Sequence, residues 1–501
     1  MPCAAGPQSD GGDRMNPKVT VIVLDGLRAD MIDARRTPHL DRVRRAGTWF
    51  SEARTVFPSL TRVAAASLAT GAPPRVHGVV SNAFFDPRAD RDRVLDFDSE
   101  AAITAYEAAT GERFLNGETF ADRLAQAGRN FAMVHTGGAA SAHVFSPRHR
   151  TLGQWVLSTA NVAASAPSRA YDDVRDRFGA PPPGTMPGTA LLRYAADIFV
   201  DHVLTARQPD VALLWLHEPD KTWHFRGLTS DDGIAALGAA DAAVGRVADW
   251  IDRQPDADRR TLLILSDHGH AATPNEVDLY ALLNDAGHAC RHMVQGSLGD
   301  DALAITGWTV GSIWTRDGDT RRLRAVAEWL QAQDFVGAVF SAGDADGGGP
   351  VPGTLDLRLT DAAHRRQAPL LFTTDVRDDR GHDGLAGLGP VIGGRTPPRL
   401  SMHGGLSNVE MTATLLAAGP GFPAGATDPR VCGIIDVAPT LLSLFGVQPP
   451  ATMTGQSLLR AVESVTRHEF SQNRESFAQE LVVAQSGGAR YLQRGGRRGP
   501  E

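Results

Sequence analysis

Cysteine is scarce in this chain. The three residues, Cys3, Cys290 and Cys432, are odd in number and lack CxxC spacing, which excludes a disulfide framework and a thiolate zinc site and makes a reducing compartment the expectation. Long apolar runs are missing too. The opening residues, MPCAAGPQSDGGDRMNPK, hold no apolar stretch of signal-peptide length, and the most apolar segment, Ile434 to Phe445, contains Asp436 and Pro439 and is too short to span a bilayer. A cytoplasmic protein without a transmembrane segment is therefore expected. Basic blocks are also absent. With 50 Lys and Arg against 58 Asp and Glu, the net charge is −8, and a grip on a nucleic-acid backbone, which needs clustered cations, is excluded. A nucleotide partner would be a small one.

What is present is a large globular composition: 501 residues, 42% hydrophobic, with 52 Gly and 31 Pro, too apolar for disorder and rich in turns. Lys18 to Leu24 (KVTVIVL) is a β-branched run that ends in Asp25-Gly26. Similar runs return at Asn130 to Val134, Val211 to Leu216, Thr261 to Leu265 and Thr414 to Ala418, with helical stretches such as Ala190 to Ala206 and Ile234 to Ile251 between them. Continuous apolar strands alternating with helices predict an α/β fold with a mostly parallel sheet covered on both faces. The expected organisation is a flexible tail over 1–17, a core from 18–275 and 401–465, an inserted cap over 276–400, where Gly, Asp and Arg break the rhythm, and a weakly ordered polar tail over 466–501.

Metal-ligand residue types gather at the predicted strand ends. Asp25 closes the first strand, Asp220 and His224 follow VALLWLHEP, Asp267-His268 close LLILSDHG, and His403 sits in MHGG. Ligands of open α/β sheets bind beyond the carboxyl ends of the strands, so these residues can converge from distant positions. Three carboxylates with three imidazoles suit Zn²⁺ or Mn²⁺. Each also has an ordinary reading: Asp25 as a helix cap, Asp220 and His224 as a solvated loop pair, Asp267-His268 as a cap and turn, and His403 as a loop histidine. A hydroxyl nucleophile is expected in FPSLTRVAAASLATG, residues 57–71. Thr61 stands at the expected N-cap of an Ala-rich helix that Gly71 ends, where the helix dipole favours an alkoxide and a bound phosphoryl group. Ser59 is its rival.

Taken in order, Asp25, FPSLT, HGVVSN (77–82), PDKTWH (219–224), SDHG (266–269) and HGG (403–405) resemble the alkaline phosphatase superfamily, and within it the nucleotide pyrophosphatase/phosphodiesterase branch. The resemblance extends to IIDVAPTLLSLFG and TGQSLL, which look like that family's closing strand and loop. It implies an alkaline phosphatase-like core and two divalent metal ions, usually zinc, with manganese the alternative. One would be held by Asp25, Thr61, Asp267 and His268, the other by Asp220, His224 and His403. Thr61 would attack phosphorus and carry a threonyl-phosphoryl intermediate, and Asn82 would donate its amide to a non-bridging oxygen.

The implied activity is that of a metal-dependent phosphodiesterase or nucleotide pyrophosphatase on a small phosphate ester. A phosphomonoesterase, a phosphonate hydrolase similar to phosphonoacetate hydrolase, and a non-catalytic metal-binding relative are the alternatives. Two positions depart from the family's pattern. Trp223 replaces a glycine, and Arg62 follows the nucleophile where many diesterase relatives have an apolar residue. Arg62, Trp223, Phe84, Phe85, Arg148 and Arg150 are accordingly candidate substrate contacts; a cation that engaged an extra phosphoryl oxygen would favour a monoester.

Overall fold

The computed structural model describes residues 17–498 apart from 160–161, 293–298, 300–301, 344–346, 382, 394–397 and 462–463. The expected tail over 1–17 thus lies outside the described residues except for Pro17. Among the described residues no helix is long and apolar enough to cross a membrane.

The chain is α/β. Its main sheet has eight strands: β1 (Lys18–Leu24), β2 (Thr48–Arg54), β3 (Phe131–His135), β4 (Trp155–Ser158), β5 (Val211–Leu216), β6 (Arg260–Leu265), β7 (Leu415–Ala418) and β8 (Ala426–Gly433). Their spatial order is β8-β2-β7-β6-β1-β5-β3-β4. β1 lies at the centre, paired in parallel with β5 (Ile22 opposite Leu214) and β6 (Ile22 opposite Ile264). All six residues of β5 are buried, as are Val19 to Leu24 of β1. Burial on both faces is the reason these runs are apolar but for Thr20. One face packs helix Asp231–Asp252 and helix Thr189–Ile198, the other the Ala-rich helix α1 (Thr61–Thr70).

Three expectations about elements change. The strand at Thr414 to Ala418 runs antiparallel to both neighbours, because the chain reaches it from the carboxyl edge of the sheet, just after the HGG loop and the one-turn helix Asn408–Met411. The segment read as a closing strand, Ile434 to Phe445, is helical: a 3-10 turn at Ile434–Asp436 leads into helix Val437–Leu444. Asp436 accepts the backbone N–H of Gly433, which ends the preceding strand. Over its described part, to residue 498, the segment expected to be a polar tail is not loose. Val465–Arg474, Phe477–Ser486 and Ala489–Arg497 form a three-stranded antiparallel sheet, whose inner face buries Leu481, Val483, Ala484, Tyr491 and Leu492 in the main core. Its polar character reflects its outer strand, where every other residue or more faces water.

Within 276–400 a second, six-stranded sheet carries helix Thr320–Gln331 on one side. A four-stranded sheet that includes Ala271–Val277 and Ser401–Met402 joins the two lobes beside the carboxyl edge of β6. Thr309, from the inserted region, donates to Glu410 and accepts from the Gly405 N–H, tying the insert to the HGG loop.

Candidate metal centre

Asp25, Asp220, Asp267, His268 and His403, with His224 and Thr61, converge at the carboxyl edge of β1, β5 and β6. They form two adjoining clusters. In the first, ligand atoms of Asp25, Asp267 and His268 lie within 4.8 Å of one another. Each carboxylate gives one oxygen to the scaffold. Asp25 Oδ2 accepts the indole N–H of Trp215 at 3.1 Å, and Asp267 Oδ1 accepts the backbone N–H groups of Gly26 and His268 at 2.9 and 3.1 Å. The other oxygens, Asp25 Oδ1 and Asp267 Oδ2, are buried with no hydrogen-bond partner. His268 Nε2 stands 3.5 Å from the first and 3.1 Å from the second, and Thr61 Oγ1 stands 3.2 Å from the same nitrogen. Buried orphan carboxylate oxygens beside an imidazole nitrogen are costly without a cation. The donor set therefore fits a divalent metal.

The second cluster gathers Asp220, His224, His270 and His403. Asp220 and His224 lie one turn apart on helix α2 (Asp220–Arg226), which the buried Glu218 carboxylate starts by accepting the N–H and hydroxyl of Thr222 at 2.9 and 2.7 Å. His224 Nε2 and His403 Nε2 are each 3.3 Å from Asp220 Oδ1. Their Nδ1 atoms face carbonyls, Ser401 O at 2.8 Å and Ser59 O at 2.7 Å. A carbonyl fixes the hydrogen on Nδ1 and frees the Nε2 lone pair for a metal. His268 follows the same rule, with Nδ1 at 3.1 Å from Gly269 O. The two clusters share a wall, since the His268 and His403 rings stack with centroids 3.6 Å apart.

His270 was not among the residues expected from sequence. Fully buried, it places Nε2 2.7 Å from Asp220 Oδ1 and Nδ1 3.2 Å from the Ser401 hydroxyl. A hydroxyl can donate to Nδ1, which leaves the hydrogen on Nε2, directed at the carboxylate. The signal lay in the motif itself: Ser266-Asp267-His268-Gly269-His270 carries a second histidine after the recognised pair. Gly26 is what lets it in, because a Cβ there, at φ +70°, would meet the His270 ring at 2.7 Å.

Electrostatics set Asp25 apart from Asp220. Burial, with Asp267 and Asp220 nearby, pushes the Asp25 carboxyl well above the usual range. Burial would raise Asp220 as well, but His224, His270 and His403 outweigh it and hold it well below. His403 is drawn down to about 4 by burial and by His268, which keeps its imidazole neutral. His268, although buried, is raised by Asp267.

Around Thr61 the structure differs from expectation in useful ways. Thr61 is the first residue of α1, not its cap; Leu60 holds the cap position, so the Thr61 hydroxyl is left to face His268. Val63 to Thr70 are buried, half of them alanines, which lets α1 lie close to the sheet, and Gly71 ends it at φ +59°. Ser59 is completely buried. Its hydroxyl donates to Gly405 O at 2.9 Å and accepts from Gly404 N–H at 3.0 Å, so it braces the HGG loop. Asn82 sits beside the start of α1, its Oδ1 accepting the Arg62 N–H at 3.2 Å.

Five candidate substrate contacts are placed elsewhere. Phe84 is 0% exposed and packs against Phe97 and Phe114 with centroids 4.5 and 6.3 Å away, and Phe85 is also core. An aromatic cluster of this size buries apolar area that water would otherwise cover. Trp223, within α2, is likewise 0% exposed; its indole donates to Gly233 O at 3.2 Å and meets His270 edge-on, so it anchors α2 to helix Asp231–Asp252 and to His270. Arg148 pairs with the buried Asp122 and Arg150 with Glu100.

An α/β sheet with paired carboxylate–histidine clusters at its carboxyl edge and a hydroxyl at a helix start defines a class, α/β proteins with a candidate divalent-metal centre at the carboxyl edge of the sheet. Residues 19–346 match the family model for type I phosphodiesterase / nucleotide pyrophosphatase, and the chain belongs to that family. It is 24% identical over 266 residues to venom phosphodiesterase 2 of Crotalus adamanteus, covering 52% of this chain and 28% of that protein. To human ectonucleotide pyrophosphatase/phosphodiesterase family member 1 it is 23% identical over 265 residues, 52% of this chain and 24% of the other. The match thus spans about a quarter of the length of these curated relatives. Murine ectonucleotide pyrophosphatase/phosphodiesterase 5, solved as an inactive variant with AMP, shares the fold with a TM-score of 0.58 at 18% identity, over 87% of this chain and 96% of the other.

Proposed function

We propose that the protein is a phosphodiesterase or nucleotide pyrophosphatase that uses Thr61 as its nucleophile and two divalent metal ions, zinc in the first instance and manganese as the alternative. The observation that carries this reading is the Thr61 hydroxyl 3.2 Å from His268 Nε2, beside the orphaned oxygens of Asp25 and Asp267. Asp25, Asp267, His268 and Thr61 hold one ion, and Asp220, His224 and His403 the other. Bound cations of this kind acidify a hydroxyl and stabilise charge on the entering and leaving oxygens of an in-line displacement.

The chain's own groups do the rest. Thr61 Oγ1 forms a bond to phosphorus as the leaving oxygen departs, and water then cleaves the threonyl phosphoester. Two displacements retain configuration at phosphorus. The Asn82 NH₂, with its Oδ1 already engaged by Arg62, donates to a non-bridging oxygen. Family membership and the AMP bound by the murine relative support a nucleotide-type small ester as substrate.

The test is kcat/KM on bis(p-nitrophenyl) phosphate against p-nitrophenyl phosphate with zinc-loaded protein. Expected is a ratio well above one, with Thr61→Ala losing at least about a thousandfold of the diester activity. Diester turnover that survives Thr61→Ala refutes the nucleophile, and a ratio far below one refutes the diesterase reading.

A further inference from the structure

Arg62 looks from sequence like a ready phosphate ligand, next to the nucleophile. Its contacts say otherwise. The backbone N–H donates to Asn82 Oδ1 at 3.2 Å. The guanidinium Nη1 donates to the backbone carbonyl of Asn82, the oxygen that also accepts the Phe97 N–H at 3.2 Å. The same nitrogen lies 3.6 Å from Asp96 Oδ1, and the side chain is only 13% exposed. Asp96 is held there by register, since Ala83 pairs with Asp96 and Phe84 with Leu95 in a short antiparallel ribbon next to Asn82.

We propose that Arg62 is a positioning residue for Asn82, with its charge held by Asp96, so that the site favours a phosphoryl group carrying one negative charge over one carrying two. The argument has two parts. An amide whose oxygen accepts an N–H cannot flip, because the flipped NH₂ would face that donor. Arg62 therefore grips Asn82 at both its side chain and its carbonyl and leaves the NH₂ as the group offered to substrate. A dianionic monoester needs a further cation beyond those a diester uses, and an arginine already beside a carboxylate is a weak one. This inference rests on the reading of Thr61 and Asn82 given above.

A double-mutant cycle tests it: Arg62→Ala, Asn82→Ala and the pair, each assayed on both esters, with circular dichroism and melting to show that the variants fold. Asn82→Ala is expected to lose about a hundredfold or more in diester kcat/KM, as for an oxyanion donor. Arg62→Ala should lose about tenfold, in kcat rather than KM, and equally on both esters. The pair should fall no more than about threefold below Asn82→Ala alone, the mark of two residues acting as one unit. Asp96→Asn should raise the monoester-to-diester ratio about two- to fivefold, the worth of a part-exposed ion pair. Losses that multiply, or a monoester loss under Arg62→Ala that exceeds the diester loss tenfold, would overturn the proposal in favour of direct substrate contact. If Arg62→Ala does not fold, Arg62→Lys, which keeps charge and stem but not the forked donors, enters the same cycle. A wild-type chain without esterase activity would sink the reading of Thr61; an active one with an additive cycle sinks this inference alone.

Discussion

Replacing His270 by leucine gives a sharp test of the second cluster. The substitution keeps the volume of a fully buried ring near that of the original but deletes the donor 2.7 Å from Asp220 Oδ1. A hydrogen bond to a charged group contributes about 1.5–3 kcal/mol, which at 1.4 kcal/mol per decade corresponds to a loss of about ten- to a hundredfold in metal affinity. Partners that orient a metal's ligands show losses of the same order. The loss should fall on the Asp220 site, because the Asp25 and Asp267 carboxylates are anchored by Trp215 and by the Gly26 and His268 amides. The assay is zinc competition with a chromophoric chelator, resolved into two affinities, together with the visible spectrum of the cobalt form. His270→Gln, whose amide can reach the same oxygen as a donor, should recover most of the affinity with an unchanged cobalt spectrum. The reasoning fails if both affinities in His270→Leu equal those of the wild type, or if both fall together. A cobalt spectrum altered in His270→Gln would make His270 a ligand instead of an orienting group.

Two further predictions concern the frame around the site. Asp436 is pushed up to about 7 by burial, against the N–H groups of Gln456 and Gly433 and the Tyr491 hydroxyl that favour its charged form. A raised carboxyl contributes stability that is complete below about pH 3.8 and is lost as pH climbs through 7, so the melting temperature of Asp436→Asn should gain on the wild type between pH 5 and 8; a constant difference in calorimetry contradicts the shift. Leu481 is 0% exposed in the C-terminal sheet, and Leu481→Ala should cost about 2–5 kcal/mol in denaturant unfolding. A cost below about half a kcal/mol would mean that this sheet is not part of the core.

The parts of the fold that were legible in sequence are the ones buried on both faces. β1, β5 and β6 are nearly continuous apolar runs because, past the opening Lys18 and Arg260, every position on them is buried, and the acids that follow them are visible as abrupt polar stops. β2 (TWFSEAR) and the C-terminal strands escaped notice because they are half solvated, and the polar outer strand at Val465–Arg474 reads as a tail. The candidate ligand residues, which the structure brings into two clusters, were legible because carboxylates and imidazoles that close buried strands have few other uses. The surroundings of the candidate substrate contacts were not legible. Phe84 and Trp223 are large apolar groups, and nothing local separates a core aromatic from one at a mouth; the answer lies in what packs around them, Phe97, Tyr106 and Phe114 in one case and His270 and Gly233 in the other. Arg62 was ambiguous for a similar reason, since Asp96 meets it only through strand pairing.

The turn Asp267-His268-Gly269-His270 serves both clusters within four residues: Asp267 and His268 face Asp25, while His270 faces Asp220. Gly269 fixes its path, because a Cβ there would meet Val409 O at 1.9 Å, so the turn has little freedom to serve one cluster without setting the other. One short turn thus sets the spacing between the clusters, and a side chain at Gly269 would displace Asp267, His268 and His270 together, disturbing both clusters at once.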